Sequence, residues 1–233
     1  MRVFALADLH LSVGVPEKKM DVFGPKWTHY MDKMEEKWRS VVGPDDLILL
    51  PGDISWAMKL EEAAPDFEWI EKLPGTKVMI RGNHDYWWSS ISKVRAALPP
   101  SLHAIHNDTF TFNGITVAGT RFWDSPEFNF GGQQEVDEKI FNREIGRLEM
   151  SLKKLDPNAK RRLAMTHYPP IGADLKSSKA SALLEKYNVS HCLFGHLHAL
   201  DEKVPMFGEK NGVHYILTAA DYIDFTPRII FEH

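Results

Sequence analysis

One cysteine, Cys192, stands in a chain of 233 residues. No internal disulfide and no thiolate-rich structural zinc site can form from it. That scarcity fits a reducing compartment, and a cytoplasmic address is expected. Long apolar runs are missing too. No stretch of 18 uncharged, apolar residues occurs, which leaves no candidate for a transmembrane helix. Asp8 interrupts the N-terminal apolar stretch before a secretory leader's core could develop. Nor does one sign of charge dominate. The 28 basic and 32 acidic side chains leave a net charge of -4, which argues against a long, nonspecific grip on a polyanion. No internal repeat, low-complexity tract or Pro/Gly/Ser-rich linker is visible, so residues 1–233 are expected to form one domain.

Short apolar, often β-branched runs recur at 2–7, 47–50, 77–80, 115–119, 163–166, 192–194, 215–218 and 228–231. Their lengths are those of strands. Most are apolar throughout rather than alternating, which predicts strands buried on both faces. Helical spacing separates them. Residues 27–42 place Trp27, Tyr30, Met31, Met34, Trp38 and Val41 on one face. Residues 61–73, 89–98 and 178–187 are similar, and 135–155 is the longest stripe. Strands alternating with helices predict a layered α/β domain.

The residues just after these runs carry the chemistry. Asp8-Leu9-His10 succeeds the first, Gly52-Asp53 the second, and Gly82-Asn83-His84-Asp85 the third. His167 comes after the fifth, and Gly195-His196-Leu197-His198 after the sixth. Each cluster alone is ordinary: Asp-x-His arises by chance, Gly-Asp is often a turn, and a histidine after a strand is commonly structural. Five buried strands ending in metal-type ligands are a different matter. Strand ends in α/β sheets are rigid points on which loops converge, and glycine lets the backbone turn sharply there.

The ordered pattern D-x-H, G-D, G-N-H-[DE], H, G-H-x-H resembles that of the calcineurin-like metallophosphoesterases, and every block is intact between residue 3 and about residue 200. The resemblance implies two packed mixed β-sheets flanked by helices. It also implies a hydrolase that cleaves a phosphate ester with two metal ions and a hydroxide bridging them. Asp8, His10 and His198 would hold one ion, Asn83, His167 and His196 the other, and Asp53 would bridge. His84 would assist the leaving group. Four imidazoles and three oxygen ligands suit Mn, Fe or Zn better than Ca or Mg. Two divalent ions against two carboxylates leave the site at about +2, enough to attract a phosphate ester to an acidic chain.

Other positions keep two readings. Asp85 either orients His84 or caps the turn that precedes residues 89–98. Arg81 is either a substrate contact or an ion-paired arginine. Trp87 and Trp88 either stack on a planar leaving group or, as expected, pack in the core. His29, His103, His106, His191, His214 and His233 follow no ligand spacing. Residues 12–42 and 122–134 are the loops expected to set specificity, a surface elaboration or self-association patch being the alternative, and Phe128-Asn129-Phe130-Gly131-Gly132 suggests a lid.

Departures from relatives narrow the substrate. Gly52-Asp53-Ile54-Ser55-Trp56-Ala57-Met58 lacks the second aspartate and the arginine of the phosphoprotein phosphatases' G-D-x-V-D-R-G. His84 stands where the UDP-diacylglucosamine hydrolases have arginine. A small phosphate-ester substrate is expected. A nuclease, a cyclic-nucleotide phosphodiesterase and a metal-binding scaffold without turnover are the alternatives.

Overall fold

The computed structural model describes residues 1–130, 136–201 and 206–233. In chain order the elements are β1 (Arg2–Ala5), α1 (Tyr30–Val41), β2 (Leu47–Leu50), α2 (Leu60–Glu71), β3 (Thr76–Met79), α3 (Ile91–Ala97) and β4 (Leu102–Ala104). They continue with β5 (Thr109–Phe112), β6 (Ile115–Thr120), α4 (Glu138–Leu152), β7 (Arg161–Thr166) and α5 (Lys179–Lys186). The chain closes with β8 (His191–Phe194), β9 (Gly208–Lys210), β10 (Val213–Leu217) and β11 (Arg228–Glu232). Among the described residues no helix is long and apolar enough to cross a membrane.

One sheet has the order β11-β1-β2-β3-β4 and the other β5-β6-β7-β8-β10-β9. Within the first, β1 to β4 run parallel and β11 antiparallel to β1. Within the second, β6, β7, β8 and β10 run parallel, with β5 and β9 antiparallel at the edges. The sheets pack face to face. Successive side chains on a strand point to opposite faces, so one strand feeds two cores. In β2, Leu47 and Leu49 enter the apolar layer between the sheets, while Ile48 and Leu50 pack under α1 and α2. In β8, Leu193 points between the sheets and Cys192 and Phe194 point toward α4 and α5. This double burial is why the strands are apolar without alternation.

All eight apolar runs are strands. The three strands the sequence did not announce, β4, β5 and β9, are all sheet edges. An edge strand has only partial cover, and Thr109–Phe112 and Gly208–Lys210 accordingly lack buried runs. The helix expected from residue 27 starts at Tyr30. Met20–Phe23 and Pro25–Trp27 form short 3-10 turns instead, and His29 at φ 53° breaks the helical path. At the start of the molecule's longest helix, Asp137 caps α4, accepting from the amides of Lys139 at 2.9 Å and Ile140 at 3.1 Å.

The C-terminal ends of the parallel strands from both sheets meet along one edge. There the extension of β1 pairs with the extension of β10 through an Ala7–Ala219 bridge. Ala7 donates to Thr218 at 2.8 Å and Ala220 donates back to Ala7 at 3.0 Å. The loops after β1, β2, β3, β7, β8 and β10 therefore open onto a shared space.

Candidate metal centre

The seven residues expected as metal ligands come together at that edge. Asp8, His10, Asp53 and His167 are all buried. Ligand atoms of Asp8, His10 and His198 lie within 4.8 Å of one another, and so do those of Asp8, Asp53 and His167. Asn83 completes the second group: its Oδ1 is 2.6 Å from His167 Nε2 and 3.0 Å from His196 Nδ1.

The backbone is bent to achieve this. Asp8, His10, Asp53 and His196 have φ of 60°, 46°, 54° and 71°, a region that non-glycine residues seldom occupy. Such strain persists only where the surroundings impose it, and it gathers at functional sites. The neighbouring glycines have a steric role. A Cβ on Gly82 would lie 2.0 Å from Asp53 Oδ1, and one on Gly195 would lie 2.3 Å from Asp8 Oδ2. No other residue lets the loops approach the carboxylates so closely.

Hydrogen bonds fix the direction of several of these side chains. The Pro51 carbonyl accepts from His167 Nδ1 at 2.9 Å, so His167 Nε2 presents its lone pair to Asn83 Oδ1 and, 3.4 Å away, to Asp53 Oδ2. Asp221 accepts from His198 Nδ1 at 2.9 Å, and the His198 Nε2 lone pair then faces His10 Nε2 at 3.4 Å and Asp8 Oδ1 at 3.8 Å. The amides of His196 and His84 donate to Asp8 and Asp53 at 3.0 Å and 2.8 Å. Asp53 Oδ2 and His10 Nδ1 are buried with no hydrogen-bond partner among the described residues.

Acceptors thus face acceptors in a buried space, which only protons or cations relieve. With no cation, burial would lower the His167 and His198 imidazoliums. Asp53 with Asp8 for the first, and Asp8 with Asp221 for the second, outweigh burial and push each up to about 9. Burial takes His10 and His196 the other way, down to about 3, so these two offer free lone pairs. Burial pushes Asp8 up to about 7 against the pull of His198 and His167. A mixed imidazole and carboxylate set with orphaned lone pairs fits divalent transition metals.

His84 is half-buried and stands outside both ligand groups. Its ring lies beside Trp56, with centroids 4.8 Å apart, and 5.6 Å from His10. Burial lowers its pKa. Asp85 does not reach that ring. Its carboxylate accepts from the amides of Gly82 at 2.7 Å and Asp53 at 3.0 Å through one oxygen. The other oxygen accepts from Ile54 at 2.8 Å, Ser55 at 3.1 Å and Trp87 Nε1 at 3.0 Å. Of the two readings of Asp85, its hydrogen bonds are those of a turn cap. Its oxygens are committed to five donors that lock the loop after β2 onto the loop after β3. Arg81 lines neither of the cavities that flank the cluster. Its Nε is buried without a hydrogen-bond partner among the described residues. Trp87 and Trp88 are core residues, packed with Phe67 and Val94.

The flanking cavities differ in their walls. One, of about 500 Å³, has His10, His84 and His198 in its wall beside Trp27 and Trp56. The other, of about 480 Å³, has Asn83 and His196 beside Asp124, Ser125 and Tyr168. Residues 12–42 contribute to the first, and Phe128 and Phe130 to the second. Of the expected lid, residues 128–130 are described, and Gly131 and Gly132 lie outside the described residues. Asp221 was missed by sequence reasoning. A signal for it existed, since it too comes after an apolar run, that of β10.

Comparisons with known proteins agree with this picture. No curated protein matches the chain in sequence. Among solved structures, the phosphopantetheinyl hydrolase PptH of Mycobacterium tuberculosis superposes with a TM-score of 0.56 at 13% identity, covering 100% of this chain and 96% of that one. TT1561 of Thermus thermophilus gives 0.53 at 13% identity, covering 99% and 98%. The protein AQ665 of Aquifex aeolicus gives 0.51 at 13% identity, covering 98% and 95%. At such identity they establish the shared fold, two mixed sheets between helical layers. The family model for calcineurin-like phosphoesterases matches residues 1–200, and the chain belongs to that family of metal-dependent hydrolases.

Proposed function

We propose that this chain hydrolyses a small phosphate ester at a dinuclear centre. In it Asp8, His10 and His198 hold one ion, Asn83, His167 and His196 hold the other, and Asp53 serves both. The observation that carries the proposal is the crowding of ring nitrogens and carboxylate or amide oxygens around two points: Asp53 Oδ2, which has no hydrogen-bond partner among the described residues, with His167 Nε2 and Asn83 Oδ1 on one side, His10 Nε2, His198 Nε2 and Asp8 on the other. Mn, Fe or Zn suits such donors. When bound, the ions supply positive charge for the phosphate oxygens and lower the pKa of water to about 7, so that a nucleophile is available near neutrality.

The chain's own residues do the rest. The Pro51 carbonyl and Asp221 hold the tautomers of His167 and His198 that turn Nε2 inward. His84 borders the first cavity, where it meets the departing oxygen and supplies a proton or a hydrogen bond to it. Asp85 keeps Asp53 and Asn83 in register by tying their loops together. Cavities of 480 and 500 Å³ suit a small molecule rather than a polymer footprint. We also read residues 1–233 as one domain, because β11 completes the sheet begun by β1 and the extension of β10 bridges to that of β1.

Protein purified without chelator should carry about two transition-metal ions per chain. It should cleave p-nitrophenyl phosphate or its bis ester, and lose that activity on chelation. Asp53→Asn should lower turnover by at least about a thousandfold and halve the metal content. His84→Ala should keep the metal while lowering kcat by about 10²–10⁴-fold, least for the best leaving groups. A metal-loaded protein that cleaves no ester, or an Asp53→Asn variant of unchanged activity and metal content, would overturn the proposal.

A further inference from the structure

We infer that the cavity on the His84 side is a stacking site for a flat aromatic or heteroaromatic ring carried by the substrate's leaving group. The inference rests on the phosphoesterase reading and deepens it. The cavity is continuous with the metal centre, since His10, His84 and His198 form its floor. Three aromatic rings, Phe23, Trp27 and Trp56, stand in the rest of its wall, with Lys26 and Asp221 among the non-aromatic residues. Trp56 stacks on His10 with centroids 4.9 Å apart and planes within 22°. Phe23 lies parallel to Trp56 within 3°, at a centroid distance of 6.3 Å. Trp27 closes the other side, edge-on to His10 and His198.

Exposure separates a binding wall from a core. Trp27 is buried, but Phe23 is 64% exposed at the tip of the 3-10 turn Met20–Phe23. A phenyl ring held in water with its plane matched to a largely covered tryptophan gains little for the folded chain itself. It gains when a third ring covers it, because aromatic rings prefer ordered stacked or edge-on contacts to disordered apolar ones. The Trp56 indole N–H already contacts Met20 Sδ at 2.9 Å and one face of its ring stacks on His10, so the exposed ring that the wall offers a ligand is that of Phe23. The opposite cavity differs. It carries Asp124, Ser125 and Asn129 and suits a polar group. With the phosphate between the two, attack by hydroxide at phosphorus would break the P–O bond to the ring-bearing group, and that aryl oxide would depart toward His84, which protonates it or donates a hydrogen bond to it.

The test measures binding rather than turnover. Manganese-loaded protein is titrated calorimetrically with methyl-, hexyl- and phenylphosphonate, with tryptophan fluorescence recorded in parallel. Phenylphosphonate should bind at least about tenfold tighter than methylphosphonate and quench fluorescence. The phenyl-to-methyl affinity ratio should fall about fivefold in Phe23→Ala and recover in Phe23→Tyr. Hexylphosphonate binding as tightly as phenylphosphonate would overturn the inference, since grease and not a ring would then be recognised. An unchanged ratio in Phe23→Ala, or a phenyl group with no advantage, would overturn it too. Hydrolysis of an alkyl phosphate ester in the same preparation tells which idea has failed. If the ester is cleaved, only the ring site falls; if no ester is cleaved, the phosphoesterase proposal falls with it.

Discussion

The layer between the two sheets and the edge where their strands end are built from the same strands on opposite principles. Between the sheets, Val3, Ala5, Leu47, Leu49, Val78, Leu163, Met165 and Leu193 are apolar and fully buried. A few residues further along, the buried side chains are Asp8, His10, Asp53, Asp85 and His167. The interior gains from every group it removes from water. The edge buries carboxylates and imidazoles, leaves lone pairs unmatched and holds four of the candidate ligands at positive φ, each at a cost of about 1–3 kcal/mol. The contrast teaches that the interior supplies the stability and the edge consumes it. A site whose groups are poorly satisfied alone is kept ready for cations that satisfy them.

That division can be broken first at Asp85, which belongs to the edge by position and to the scaffold by bonding. Asp85→Ala should leave five donors unpaired and cost about 3–5 kcal/mol in urea unfolding, with metal affinity falling as well. Leu49→Ala should cost about 2–5 kcal/mol through a cavity between the sheets while leaving the metal content of the folded fraction unchanged. If it instead empties the metal site, interior and edge are not separable in this way.

Asp221→Asn should do the reverse. Loss of the charged acceptor for His198 Nδ1 should weaken metal binding by about 10–100-fold, measured by competitive chelation, with little change in the unfolding midpoint of the metal-free protein. The smallest expected effect is at Lys77, a buried ammonium held by the Leu73 carbonyl and, at 2.9 Å, by Ser101 Oγ. Burial, only partly offset by Glu71, lowers its pKa to about 8. Above about pH 8 the folded chain sheds this proton while the unfolded chain keeps it up to about pH 10.4. The unfolded state then binds more protons, so Lys77 contributes rising stability with pH across that window. Lys77→Met should flatten the rise in pH-dependent denaturation.

Legibility followed the range of the interaction. The strands were visible because β1, β2, β3, β7 and β8 are buried on both faces and so carry unbroken apolar runs. Edge strands β4, β5 and β9 were not, because one-sided or partial cover leaves a mixed sequence. The candidate ligands were visible because each cluster is local: Asp8 and His10 lie two residues apart, as do His196 and His198. Asp85 kept two readings because its neighbour in sequence is His84, while most of its hydrogen-bond partners lie in the loop after β2. Asp221 was overlooked because its partner, His198, stands 23 positions away. Only one carboxylate oxygen 2.9 Å from a ring nitrogen reveals the pairing.

The sequence by itself determined the kinds of donor, their order and the glycines beside them, since composition and local spacing are properties of the chain. Tertiary structure alone decided which lone pairs face one another, which carboxylate is left an orphan and which is saturated. It also decided that a ring-lined cavity opens on the His84 side. The physical reason is that hydrogen bonds and close contacts are satisfied over a few ångströms in space, and the packing of two sheets, not the distance along the chain, chooses which groups come within that reach.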